Sequence, residues 1–304
     1  MRYPLFQVAR VAWLILVGTA LGCASSPAPS SVPTPLPPSR DPERVPVSPP
    51  SPSGPLVFTY REGNYAYDVR QTTTVTVGAD GGLSAEDTMI TMAGLTYSIS
   101  STTGIPAVSV QIDSLTISSA RDTTALPRRL SGPVMVTLPL TYSPMLTSLD
   151  SATISSSCDS MEEAARSLAA DTYLSIPVSL EQGHEWNDST VSGLCRGGIP
   201  LTATRASRYR IIEIRQTRDS TIARIARQTI LSLGGSGLQG TRRITVRGDG
   251  SSEATLSYDV RGGRFLESTG QSLLQLTFET IQQTERVVQR STSSVRLRPG
   301  QGAP

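Results

Sequence analysis

Alternation of apolar and polar residues runs through most of this chain. Val108, Val110 and Ile112 alternate with Ser109 and Gln111, and Leu115 and Ile117 alternate with Ser114 and Thr116. A period of two marks strands with one buried and one wet face. The buried phase swaps at Asp113, which predicts a β-bulge there. Further strand-like runs begin at Val57, Tyr60, Tyr65 and Tyr67 and continue through Thr74–Val77, 88–91, 95–100 (hinged at Gly94), 134–142, 174–180, 209–214, 222–233, 242–247, 253–260, 264–268, 274–280, 287–290 and 295–298. Glycine clusters at 78–82, Gly248-Asp249-Gly250 and Gly262-Gly263 predict turns between them. One segment breaks the period. Ser160-Met161-Glu162-Glu163 fits a capping box, and Ala164, Ala165, Leu168, Ala169 and Ala170 follow as helix formers, so a helix is predicted over about residues 161–171. The fold class is therefore mostly β: a large antiparallel sheet or incomplete β-barrel with one short helix, over residues 56–298. Residues 299–304 are expected to be a loose tail.

Residues 65–72 and 209–217 share a Tyr…Arg-Gln-Thr pattern. Two related halves, about 56–156 and 199–298, would explain it, and so would chance.

Composition adds a second region. Pro27 to Pro55 holds 12 of the 22 prolines. Such a segment cannot build a core and samples extended polyproline II, with a reach of about 90 Å. It reads as a disordered spacer; a Pro-x-x-P ligand for a specific partner is the alternative. All 27 basic residues are arginine, and charged residues make up only 17% of the chain. Residues 23–195 carry 8 arginines and 17 carboxylates, a net of −9, and residues 196–304 carry 17 arginines and 8 carboxylates, a net of +9. A basic back half could meet an anionic surface. Alternatively the two halves pack together and neutralise one another.

The front of the chain supplies an address. Arg2 and Arg10 precede or flank an apolar run, Val11 to Gly22, that is too short to span a bilayer. It ends in Ala20-Leu21-Gly22-Cys23. This segment resembles the lipobox of bacterial lipoproteins. The resemblance implies a signal peptide over residues 1–22, a diacylglycerol and usually an amine-linked acyl chain such as palmitate on Cys23, and a lipidated linker over 23–55. Ala24 is not the aspartate that implies inner-membrane retention, so the resemblance points to the outer membrane. An ordinary secretory signal cut near Ala20 or Ala24 is the rival reading.

With Cys23 acylated, Cys158 and Cys195 remain, and in an exported protein two leftover cysteines pair as a disulfide. His184 is the sole histidine, which excludes multi-histidine metal sites; Glu185 and Asp188 are near it in sequence, but no G-x-S-x-G elbow accompanies it. Gly235-Ser236-Gly237-Leu238-Gln239-Gly240 matches a dinucleotide fingerprint, yet β-branched alternation follows it instead of a helix, so it is expected to be a hairpin loop. Asn187-Asp188-Ser189 is a sequon by letter only, and Asp249, Ser251 and Glu253 lack a full calcium ligand set. Aromatic residues are 5% of the chain, so no stacking platform for nucleic acid stands out. No cofactor or metal is expected.

The segment from Ile176-Pro177 through Gly183 and Trp186 resembles β-rich bacterial envelope lipoproteins that share a Gly-x-x-Trp turn. The expectation is a membrane-anchored, non-enzymatic envelope lipoprotein that binds an apolar ligand, between sheet and helix, or an envelope partner. The alternatives are an exported hydrolase with a carboxylate site near His184, and a purely structural surface protein.

Overall fold

The computed structural model describes residues 55–79, 85–100, 107–122, 124–139, 147–148, 160–172, 174–177, 179–196 and 198–299. The expected signal segment 1–22, Cys23, the expected linker up to residue 54, the glycine-rich stretch 80–84, Cys158 and residues 300–304 lie outside them.

The elements are β1 (Leu56–Val57), β2 (Gly63–Ala79), β3 (Ala85–Ser100), β4 (Ala107–Ser119), β5 (Arg128–Arg129), β6 (Val134–Pro139), β7 (Thr147–Ser148), α1 (Ser160–Thr172), β8 (Ser179–Leu180), β9 (Glu185–Arg196), β10 (Ile199–Gln216), β11 (Thr221–Gln239), β12 (Arg242–Asp259), β13 (Arg264–Glu279) and β14 (Thr284–Leu297). The helix matches its predicted place, where Glu162 and Glu163 in the first turn favour the positive end of the helix dipole.

Twelve strands form one sheet in the order β5-β4-β3-β2-β14-β13-β12-β11-β10-β9-β7, with β6 also on β4. Every pairing is antiparallel except the short β7 on β9. The long strands β9 to β14 form a simple meander. The seam between the two parts of the chain is β2 on β14, from Ala79–Glu285 to Tyr67–Leu297. The sheet does not close: β4 and β9 do not pair with each other. Instead α1 touches β4 and β6 at one end of the sheet and β9 at the other. The helix occupies the gap that a closed barrel would fill with hydrogen bonds. It does so with small residues, Ala164, Ala165 and Ala169, beside Met161 and Leu168, all buried.

The two faces of the sheet differ sharply. Along β10 and β11 the pattern of buried and exposed residues alternates almost without a break. Inward positions form two apolar clusters. One joins α1 to Tyr65, Tyr67, Leu95, Tyr97, Ile112, Tyr209, Ile225, Tyr258 and Phe265. The other, at the opposite end of the strands, joins Val75 on β2 to Leu201, Leu231, Val246, Leu274 and Val287. Outward positions on β10 to β14 include Thr202, Thr204, Arg208, Arg210, Arg247, Glu253, Gln271, Gln275, Arg286 and Arg290. A transmembrane barrel carries the reverse arrangement, an apolar band outside and polar residues within. No helix among the described residues is long and apolar enough to cross a membrane.

Three β-bulges bend the strands, each adding one outward residue. The one predicted at Asp113 is present: Gly94 pairs with Ser114 and Leu95 with Ile112. Asp113 then accepts hydrogen bonds from Thr96 Oγ1 (2.7 Å) and Gln111 Nε2 (2.6 Å). The other two leave Ile212 unmatched on β10 and Leu266 unmatched on β13.

Two glycine motifs are not the punctuation they were expected to be. Gly248-Asp249-Gly250 lies in mid-strand in β12, not at a turn. A Cβ on inward-facing Gly248 would stand 2.5 Å from Leu276 Cδ2, and one on Gly250 would stand 2.9 Å from the Leu273 carbonyl oxygen. These glycines are required by close packing. The G-x-G-x-x-G run is also strand as far as Gln239, and only Gly240, with φ +63°, sits in the turn. A Cβ on Gly235 would lie 2.1 Å from the Pro200 carbonyl oxygen. Gly235→Ala is therefore expected to cost about 2 kcal/mol through overpacking, read as a lower midpoint in urea unfolding.

Candidate functional site

The inner face holds a polar belt between the two apolar clusters. Ser207, Thr229, Ser252, Ser272, Ser291 and Thr73 lie directly opposite one another on the successive strands β10, β11, β12, β13, β14 and β2, with Asp188 of β9 continuing the row. Hydroxyls share hydrogen bonds at both ends of the row, Ser207 with Thr229 and Thr73 with Ser291, each at 2.9 Å. Between them Ser252 Oγ, Ser272 Oγ and nearby Gln289 Oε1 are buried without a hydrogen-bond partner among the described residues. Burying a hydroxyl unbonded costs free energy, so this row stabilises less than its apolar neighbours do.

Above the belt, α1 is fastened to the sheet. Asp171 forms an ion pair with Arg205 of β10, and Arg227 Nη1 of β11 donates to the Asp171 carbonyl oxygen at 2.9 Å. Tyr97 Oη and Thr172 Oγ1 are 2.6 Å apart. Burial pushes the Asp171 carboxyl above the usual carboxylate range, against the pull of Arg205 and Arg227. Asp188 is pushed up for the same reason and is opposed mainly by Arg205. Two carboxylates thus face two arginines in a largely buried setting.

The aromatic end of the barrel-like interior is closed by irregular chain. Tyr60 Oη donates to Leu174 O (2.7 Å), Tyr67 Oη to Phe265 O (2.9 Å), Tyr258 Oη to Thr59 O (2.7 Å) and Trp186 Nε1 to Ser175 O (3.0 Å). Trp186 also stacks on Tyr209 with centroids 5.0 Å apart. Burial raises the phenols of Tyr67, Tyr97 and Tyr258 far above their ordinary value, so they act as neutral donors. The Gly-x-x-Trp turn has a clear structural purpose: Gly183, at φ +87°, turns the chain so that Trp186 can pin the 174–177 segment.

His184 is exposed and brings no carboxylate pair with it. Glu185 points outward to Arg208 (2.5 Å) and Arg210 (3.8 Å), and Arg208 holds its carboxyl below the usual range. Asp188 lies on the opposite, inner face. Asp249, Ser251 and Glu253 are in line along the outer face of β12, and among the described residues no group of three or more His, Cys, Asp or Glu could hold a metal. Cys195 is buried near the end of β9, and its expected partner Cys158 lies outside the described residues. The charge split is met in part by contact: Arg205–Asp171, Arg208–Glu185, Arg210–Glu185 and Arg298–Asp68 each join the basic back half to the acidic front half.

A groove of about 660 Å³ opens on the outer face, across the ends of β10 to β14. Ile222 and Leu266 give it apolar surface, Leu297, packed on the inner cluster, borders it, and Arg215, Arg224, Arg296 and Glu267 give it charge. Leu266 is there because of the β13 bulge. Glu213, placed outward by the β10 bulge, accepts from Arg215 Nε (2.5 Å) and Arg224 Nη1 (3.2 Å), which holds its carboxyl low. The arginines inside and the groove outside were both missed by motif reading. Arg205 and Arg227 could have been found as arginines on the apolar phase of their alternating strands.

No family model matches the chain, and no curated protein matches it. Among solved structures it is similar to OccK2 (OpdF) of Pseudomonas aeruginosa, at 8% identity over 79% of this chain and all of that one, with a TM-score of 0.26. A porin mutant of Rh. blastica gives 9% identity over 77% of this chain and all of that one, with a TM-score of 0.22. A LolA-superfamily protein of Nitrosomonas europaea gives 9% identity, 79% and 89% coverage, and a TM-score of 0.15.

Proposed function

We propose that this chain is a lipid-anchored, non-enzymatic protein of the bacterial cell envelope that works by binding through its β domain. The carrying observation is the largely polar outer face of the sheet around an aromatic interior. Attachment to a membrane is assigned to acyl chains on Cys23, the position marked by the lipobox-like segment. The proline-rich segment then holds the domain away from the bilayer, on the outer-membrane side of the envelope. The inner face of α1 is packed, with Ala165 and Ala169 fully buried, so the surface available for a ligand or envelope partner is the outside of the sheet. The closed interior favours one second reading, a purely structural surface protein.

The test is mass spectrometry of the full-length protein purified from native membranes. The expected result is an N-terminus at Cys23 carrying acyl chains, with a non-covalently retained molecule in the same preparation. An unacylated N-terminus in the soluble fraction overturns the anchor, and an acylated protein that retains nothing leaves the structural reading. The same spectrum tests a Cys158–Cys195 disulfide, expected as a mass about 2 Da below the dithiol form. Closing that 37-residue loop stabilises by about 4 kcal/mol in the chain-entropy model, so reductant is expected to lower the unfolding midpoint.

A further inference from the structure

We propose that the outer groove between the two β-bulges binds an amphiphile with one anionic headgroup, a phosphate or a carboxylate, on a short apolar chain. This rests on the binding reading above and gives it a site.

Three observations converge. First, the groove sets the apolar side chains of Ile222 and Leu266 among charged ones on a largely polar outer face. The extra residue of the β13 bulge turns Leu266 outward beside Ile222, and bulges re-aim side chains in this way near binding sites. Second, its charge is arranged across the strands. Glu213, Arg224, Ser257, Glu267, Arg296 and Asp68 lie directly opposite one another on six successive strands. Glu213 is shared by Arg215 and Arg224, and Asp68 is taken by Arg298 at 2.8 Å. Arg296 forms no ion pair among the described residues, and its side chain is exposed at the groove. Counting Glu213 and Glu267 against the three arginines leaves the site positive. Guanidinium groups grip phosphate and carboxylate with paired N–H donors, and sharing one carboxylate leaves most of those donors free. Third, a volume of about 660 Å³ suits a small ligand with part of its chain left in solvent.

The experiment is calorimetric titration of the mature protein with decyl phosphate and with decanoate, each below its micelle concentration. Inorganic phosphate and decyl maltoside are the headgroup-only and uncharged controls. Saturable one-to-one binding is expected for both anionic amphiphiles. Arg296→Gln and Leu266→Ser are each expected to weaken it about tenfold, the loss of one charge-assisted hydrogen bond or one apolar contact. Arg290→Gln, on the same strand and face as Arg296 but away from the groove, is expected to leave it unchanged. Circular dichroism and the melting temperature check that each variant folds.

Equal binding of decyl maltoside overturns the requirement for charge, and equal binding of inorganic phosphate shows an ion patch without an apolar subsite. Binding that ignores both substitutions places the ligand elsewhere. A protein that retains an envelope molecule on native purification yet ignores both amphiphiles keeps the binding reading and loses this site.

Discussion

Replacing Asp171 with alanine is expected to destabilise the protein by about 3 kcal/mol, the usual cost of removing one partner from a buried ion pair. The loss falls on the remaining partners. Arg227 is 8% exposed and the Arg205 side chain 22% exposed, so neither guanidinium can recover full hydration. Asp171→Asn keeps the shape and an acceptor, and is expected to cost less than half as much. Urea unfolding at neutral pH checks both values. The pH dependence separates the carboxyl from the side-chain shape. Burial raises the Asp171 pKa in the folded protein, so the folded state binds this proton more tightly than the unfolded chain does. Its contribution is therefore fully present below the ordinary carboxylate value and declines as pH rises through the raised one. Wild type is expected to gain stability relative to Asp171→Asn as pH is lowered through that window. A flat difference between the two proteins would show that Arg205 and Arg227 balance desolvation, and a loss of relative stability on acidification would show that they outweigh it.

Tyr67→Ala is expected to cost about 4 kcal/mol, and Tyr67→Phe about 1 kcal/mol. Tyr67 is 1% exposed and lies between Tyr97 and Phe265, with ring centroids 4.8 and 5.4 Å away. Its hydroxyl crosses from β2 to the Phe265 carbonyl oxygen on β13. Alanine leaves a cavity the size of a phenol ring and removes both aromatic contacts. Phenylalanine keeps the rings and leaves one carbonyl unbonded. The contrast between the two substitutions, measured by thermal or urea unfolding, separates packing from hydrogen bonding. A Tyr67→Ala variant as stable as Tyr67→Phe would mean that this end of the interior collapses freely.

Alternation carried most of the fold. Strand phase was readable because a sheet with one wet face leaves serine, threonine and arginine at every second position, and the phase swap at Asp113 was enough to locate a bulge. The capping box at Ser160 located the helix to within a residue at each end. Glycine was misleading where its role was tertiary. Gly248 and Gly250 look like a turn along the chain, but the reason for them is the close approach of β13, with the Gln275 and Leu273 carbonyl oxygens and the Leu276 side chain where a Cβ would go. The site residues were less legible. Arg205, Arg227 and Asp171 are separated by tens of residues, and only the curvature of the sheet brings them together. The groove depends on Leu266 being unmatched in the β12–β13 register, which no local pattern in the sequence reveals.

The hydrogen bond between Thr73 and Ser291 spans 218 positions of the chain and joins its first long strand to its last. The sheet therefore cannot be completed until the C-terminus has emerged. Until β14 arrives, β2 and β13 each keep one unpaired edge, and contacts this distant in sequence form slowly. A stop codon before residue 284 would then leave β2 and β13 exposed as two unpartnered edges, and aggregation, not partial activity, would be the outcome.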